Sequence, residues 1–204
     1  MQTQHLLKTW CEMYGLEYNN EQTELFISKG EKEYFSPFYN LDKPILAIQP
    51  NGGAIGQPLK YSWSRDIPAV IVNEIVDYFK GDYAILHIRR DDQIAYKNTM
   101  SALDNWRSIA IMLSLSKKRL LIDSSSMHIA TALNLASVVT WVGTSPKVFG
   151  YDIHQNIIAN EPTKELNLEH NYFSKNLLFE DISTFPYDNF KAVFDTDSII
   201  KALK

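Results

Sequence analysis

The stretch Leu121-Ile122-Asp123-Ser124-Ser125-Ser126-Met127-His128-Ile129-Ala130-Thr131-Ala132-Leu133 decides the fold. A short apolar run stops at an aspartate, three serines follow, and a run of small and apolar residues suited to a packed helix begins. A buried strand that passes through a polar turn directly into a helix is the repeating unit of a parallel sheet. The same grammar recurs on both sides. Upstream, Ile45-Leu46-Ala47-Ile48 runs into Pro50-Asn51-Gly52-Gly53, and Tyr83-Ala84-Ile85-Leu86-His87-Ile88 runs into Arg89-Arg90-Asp91-Asp92. Downstream, residues 137–142 form a strand ending at Gly143-Thr144-Ser145-Pro146, and 156–159 can add another.

Helices are predicted over 68–79, with Pro68 suited to a first turn and Gly81 beyond the end, over 106–115, with Trp106, Ile109, Ala110 and Leu113 on one face, over 127–133, and from Asp197 to the end. Residues 5–15 read as a helix stopped by Gly15, with Leu6, Leu7, Trp10 and Tyr14 at helical spacing. Residues 16–43 read as an extended segment with a short strand at 25–28. Together these elements predict an α/β, Rossmann-like parallel sheet with helices on both faces, over residues 44–204, preceded by a linker-like segment over 1–43. Right-handed crossovers bring the turns at 50–56, 89–92, 123–126 and 143–146 to one sheet edge, where such sheets bind ligands.

The 204 residues are 45% hydrophobic, and the net charge of −4 with no dense basic run argues against nucleic acid. Cys11 is the one cysteine, so it forms no internal disulfide and no cysteine metal site. The histidines at 5, 87, 128, 154 and 170 lack zinc-ligand spacing, and no metal is expected. Residues 1–8 lack the apolar core of a secretory signal, and no apolar run reaches the roughly 18 residues of a membrane span. The expectation is a cytoplasmic protein.

Three elements carry candidate chemistry. The first turn of a helix holds free N–H groups and the positive end of the helix dipole, which favour phosphate. Ser124, Ser125 and Ser126, with the backbone of Met127, stand there; equally, Ser124 or Ser125 is a helix cap. His128 is either a phosphate contact or a packed histidine. In the second element, Gly52 and Gly53 let backbone approach a ligand, and the loop carries two cations, Lys60 and Arg65. Its glycine spacing fits neither a Walker A loop nor a dinucleotide fingerprint. In the third, Asp91 is either a ribose acceptor or part of a charged surface turn. Gly143 and Thr144 either meet the ligand or form an ordinary turn ahead of Pro146. No nucleophile elbow Gly-x-Ser-x-Gly is present.

Residues 121–146 resemble glycosyltransferase family 9, the heptosyltransferases. Asp123, Ser124, Met127, His128 and Ala130 fall on the family's Asp-Ser-Gly-Pro-Met-His-Leu-Ala motif, with Ser125 and Ser126 in place of Gly and Pro, and 136–146 resembles its next strand and turn. Lys60 and Trp63 resemble the Lys and Trp of a Lys-Arg-Trp-Pro run, one residue further apart. The likeness spans roughly residues 1–150, and residues 1–43 resemble the linker between two domains. It implies one half of a GT-B glycosyltransferase, binding a nucleoside diphosphate sugar, ADP-heptose in this family, and transferring the sugar to a glycan or lipopolysaccharide-type acceptor at the inner face of the membrane. Asp123 would hold donor sugar hydroxyls, 124–127 the diphosphate, and Lys60 the departing nucleotide, without a cofactor. The catalytic base would lie on an N-terminal acceptor domain or partner chain. A noncatalytic nucleotide-binding or interaction module with the same fold is the alternative.

Overall fold

A computed structural model describes residues 4–39, 41–52, 61–102, 105–163 and 185–204. Among the described residues six parallel strands form one sheet: β1 (Ile45–Ile48), β2 (Ala84–Ile88), β3 (Met100–Ala102), β4 (Lys118–Ile122), β5 (Val138–Trp141) and β6 (Gln155–Ile158). Their order is β3-β2-β1-β4-β5-β6, so the chain winds outward from β1 in both directions. All five pairings are parallel, which aligns every strand's carboxyl end along one edge.

Side chains alternate across the sheet and build a core on each face. Leu46 and Ile48 of β1 join Leu120 and Ile122 of β4 on one face, under α3 (Ala69–Phe79) and α7 (Thr196–Leu203). Ile45, Ala47, Leu121, Val139 and Trp141 face the other way, under α4 (Trp106–Leu115) and α5 (Ser125–Ala132). Burial of strands on both faces is why they read as continuous apolar runs. Each fully buried Leu or Ile contributes about 1.5–3 kcal/mol relative to exposure. The predicted α/β, Rossmann-like architecture is therefore present, with each shared element within two residues of its expected bounds.

The differences are local. Residues 25–28 form no strand; one bond, Leu25 N–H to Ala132 O at 2.9 Å, ties the segment to α5. A helix, α2 (Lys29–Tyr39), stands where extended chain was expected. Its start is a capping box: Ser28 N–H donates to Glu31 Oε2 at 2.8 Å and Glu31 N–H to Ser28 Oγ at 3.2 Å. Arg107 of α4 then clamps Glu31 with two bonds of 2.6 and 2.8 Å, and these hold its carboxyl far below the usual range. The helix α1 (Leu6–Met13) forms, and Gly15 ends it at φ +67°. Its apolar stripe is exposed, however: Leu7 packs on the core while Trp10 and Tyr14 stay open. Trp106 is likewise exposed, while Ala110 and Leu113 are buried together with Ser108, Ile111 and Met112, and Ile109 packs partly against the core. Two short elements escape the periodicity, β3 at the sheet edge and α6 (Pro146–Phe149).

Among the described residues no helix is long and apolar enough to cross a membrane.

Candidate functional site

The helix α5 begins at Ser125, two residues before the expected start, so the serines are its cap and first turn. Ser124 is the N-cap residue, with extended backbone at φ −160° and ψ 174°. Its hydroxyl makes no bond to a helix amide. It donates instead to Gln49 Oε1, on the residue after β1. Met127 N–H turns back to Ser124 O at 3.1 Å, but the amides of Ser125 and Ser126 meet no acceptor among the described residues. The capping reading therefore does not hold for the Ser124 side chain. Two uncommitted donors stand at the positive end of the helix dipole.

In front of Ser125 lies a cavity of about 380 Å³ at the carboxyl edge of the sheet, lined by Ser64, Arg65, Asp123, Ser124, Ser125, His128, Thr144 and Phe149. Five predicted residues, Asp123, Ser124, Ser125, His128 and Thr144, thus converge from the turn after β4, from α5 and from the turn after β5. Thr144 Oγ1 donates to Asp123 Oδ2 at 2.7 Å, fixing one carboxylate oxygen and leaving the other for the cavity. His128 Nδ1 lies 2.9 Å from Tyr151 Oη, so this ring nitrogen is satisfied internally. Burial holds the imidazole pKa below its ordinary value, against the pull of Asp123. Arg65 is the cation of the described wall, and its guanidinium pairs with no carboxylate among the described residues.

The remaining predicted residues stand elsewhere. Met127 is fully buried in the core, and its amide is spent on Ser124, so neither group reaches a ligand. Ser126 is also fully buried and stands outside the cavity wall, so its amide does not reach a ligand there. Gly143 donates to Ser64 O at 2.7 Å, and a Cβ there would lie 2.9 Å from the same oxygen. Its lack of a side chain admits Ser64 rather than a ligand. Asp91 is exposed and lies outside the cavity wall. Gly52 stands beside Arg65, where a Cβ would come within 3.2 Å of Cδ and 3.4 Å of Nη1. Lys60 and Gly53 lie outside the described residues.

Asp66 organises this edge and carried no sequence signal. It is 3% exposed and accepts from Gly52 N–H at 3.0 Å, Ser62 N–H at 2.9 Å and Asn51 Nδ2 at 3.2 Å. Burial raises its carboxyl pKa, opposed by those hydrogen bonds. The carboxylate ties the turn after β1 to the loop that presents Ser64 and Arg65. Asp66→Asn turns one acceptor into a donor facing a donor. The expected cost is about 1–3 kcal/mol, because one buried N–H loses its partner. Urea denaturation measures it, and an unchanged midpoint with unchanged slope would remove Asp66 from this role.

Among the described residues no group of three or more His, Cys, Asp or Glu side chains could hold a metal ion. Neither a family model nor a curated protein matches the sequence. Solved structures do match. A family 9 glycosyl transferase from Veillonella parvula superposes with a TM-score of 0.57 over 77% of this chain and 49% of that one, at 14% identity. The E. coli heptosyltransferase WaaC, solved with ADP, superposes with a TM-score of 0.53 over 78% of this chain and 52% of that one, at 12% identity. The chain spans about half the length of each. At such low identity the likeness establishes architecture, and the chain has the Rossmann-like fold found in about half of a family 9 glycosyltransferase.

Proposed function

We propose that this chain is the donor-binding half of a glycosyltransferase of the heptosyltransferase type. It takes a nucleoside diphosphate sugar, with ADP-heptose as the leading candidate, and the sugar passes to a glycan or lipid-linked acceptor. The acceptor half comes from a segment or chain beyond these residues, and segment 1–43 serves as the linker to it. The reaction runs at the inner face of the membrane, on the cytoplasmic side.

One observation carries this reading. The free amide of Ser125, Arg65 and the Asp123–Thr144 pair all bound one cavity. The Ser125 amide and the guanidinium suit a diphosphate, and Arg65 can meet two phosphate oxygens at once. The carboxylate suits sugar hydroxyls, which donate to it. Glycosyl transfer builds negative charge on the departing nucleotide, and fixed donors aimed at that charge lower the barrier. Arg65 fills the role that the resemblance gives to Lys60, with Lys60 a second cation on the same loop. No cofactor is assigned. Half a cleft cannot position the acceptor, so the chain alone binds donor and turns over poorly.

Calorimetric titration with ADP and with ADP-sugars tests the reading. Millimolar ADP is expected to raise the melting temperature of the chain. Arg65→Ala is expected to weaken ADP about 10-fold or more, since charge-assisted bonds are worth about 1.5–3 kcal/mol. Asp123→Ala is expected to narrow the affinity gap between an ADP-sugar and ADP. An Arg65→Ala protein that binds ADP as wild type does would refute the assignment of the cavity.

A further inference from the structure

The histidine of the cavity wall is held by a residue that stands behind that wall. Gly150 closes α6, with its N–H on Pro146 O at 2.8 Å and no room for a Cβ, which would lie 2.6 Å from that oxygen. Tyr151 follows, 8% exposed and packed in the same core as Met127 and Ala130 of α5. Its ring meets those of His5 and His128 edge-on, with centroids 5.1 and 5.6 Å apart. Its hydroxyl lies 2.9 Å from His128 Nδ1, and the surroundings decide which atom carries the proton. Burial raises the phenol pKa, so the hydroxyl keeps its hydrogen. Thr23 Oγ1 is near enough to act on that pKa but makes no hydrogen bond among the described residues. A proton on Nδ1 would therefore strand the phenol hydrogen in the core, and a stranded donor costs more than an ordinary bond returns. Tyr151 donates and Nδ1 accepts.

Burial also keeps the His128 ring neutral, and a neutral imidazole that accepts at Nδ1 carries its proton on Nε2. The two nitrogens point nearly opposite ways. His128 lines the cavity and Tyr151 does not, so the Nδ1 edge faces the core and the Nε2 edge faces the cavity. The Asp123 carboxylate on the same wall favours a proton there over a lone pair. We infer that Tyr151 is a positioning residue for the ligand site, fixing the His128 ring so that Nε2–H stands as a neutral donor toward an anionic oxygen, here a phosphate oxygen of a nucleoside diphosphate. Without the hydroxyl the ring is free to turn over about its Cβ–Cγ bond and present carbon instead. The geometry of the pair stands by itself; its link to ligand affinity rests on the proposed nucleotide site.

Nitrogen NMR of protein labelled in its histidine rings tests this, with ADP titration as the second probe. In wild type His128 Nε2 is expected to be protonated, and Nδ1 to show the shift of a hydrogen-bonded acceptor. Tyr151→Phe keeps the ring and removes only the hydroxyl. It is expected to move the Nδ1 resonance to that of an unbonded ring nitrogen and to weaken ADP about fivefold, the equilibrium equivalent of one ordinary hydrogen bond. In a His128→Ala background the same replacement is expected to leave ADP affinity unchanged, whereas a general loosening of the core would weaken it there too. If Tyr151→Phe does not fold, the wild-type spectrum decides alone. A proton on Nδ1 in wild type, or an equal loss of affinity with and without His128, overturns the inference. A wild type that carries the proton on Nε2 yet ignores ADP upholds the hold of Tyr151 on His128 and overturns the nucleotide reading.

Discussion

Between pH 7 and pH 5 the chain is expected to lose roughly 4 kcal/mol of stability, about 2 from each of two buried histidines. His87 on β2 is completely buried, 5.0 Å from the Tyr96 ring, and neither ring nitrogen has a partner among the described residues. Burial, with a smaller push from Arg89, lowers its pKa to about 4. His154 is 6% exposed, and its Nε2 lies 2.8 Å from Thr131 Oγ1. Burial is again the main cause that lowers it to about 4, helped by the charge of Arg119 and opposed by a bond to the Met127 backbone. In the unfolded chain both groups titrate near 6.5. From that value down to 4 the unfolded state therefore binds more protons, and stability falls as pH falls. The carboxylates held low, Glu31, Glu74 and Asp195, lose their contribution only as pH falls below the ordinary carboxylate range. Urea midpoints at pH 7, 6 and 5 thus read chiefly these two histidines, with His128, also held low, adding to the loss and Asp66, held high, opposing it. His87→Phe, which keeps a buried ring and cannot be protonated, is expected to remove about half of the pH dependence. A flat profile from pH 7 to 5 in wild type would show that neither histidine is held neutral by the fold.

Arg119→Leu is the second large effect, expected to destabilise by about 3 kcal/mol or more. Arg119 stands in β4 and is 9% exposed. Its guanidinium donates to Leu113 O at 3.0 Å, to Ser116 O, and to Ala136 O at 3.2 Å. Two of these carbonyls close the end of α4, where the helix dipole is negative and donors are lacking. The third fixes the chain just before β5. Leucine fills much of the space but takes a donor from each of three carbonyls, of which Leu113 O keeps the Ser116 N–H at 3.3 Å. Arg119→Lys is expected to recover less than half, because one ammonium on a flexible stem cannot reproduce the planar fork. In a domain of this size each kcal/mol shifts the melting temperature by about 2–4 °C. Scanning calorimetry should therefore place Arg119→Leu at least about 6 °C below wild type, and a shift within about 2 °C would show that the carbonyls find other donors.

The helix α2 shows how a legible signal is masked. Ser28-Lys29-Gly30-Glu31 spells a capping box, yet Gly30 and Pro37 disfavour helix and the apolar pattern that follows is weak. Helix formation there draws on docking against α4 through Glu31 and Arg107, 76 residues apart. Such a contact has no local trace. Trp10, Tyr14 and Trp106 show the converse, since helical spacing predicts the helices correctly but not which stripe is covered.

The sequence by itself determined the alternation of strand and helix, the parallel sheet and the edge at which the turns collect. Those follow from apolar period, small turn residues and the steric rules of crossover connections, all of which act over a few residues. It also put forward Asp123, Ser124, Ser125, His128 and Thr144 as polar residues that follow strand ends or open the next helix, with a helix cap, a packed histidine and an ordinary turn as equal alternatives. Only the tertiary structure decided which groups stay free. Gln49 takes the Ser124 hydroxyl, Asp66 brings Arg65 to the cavity, Ser64 occupies the space beside Gly143, and the core absorbs Met127. Each outcome depends on partners 14 to 79 positions away, and a hydrogen bond or a filled volume between distant segments is set by how the sheet assembles, not by either segment alone.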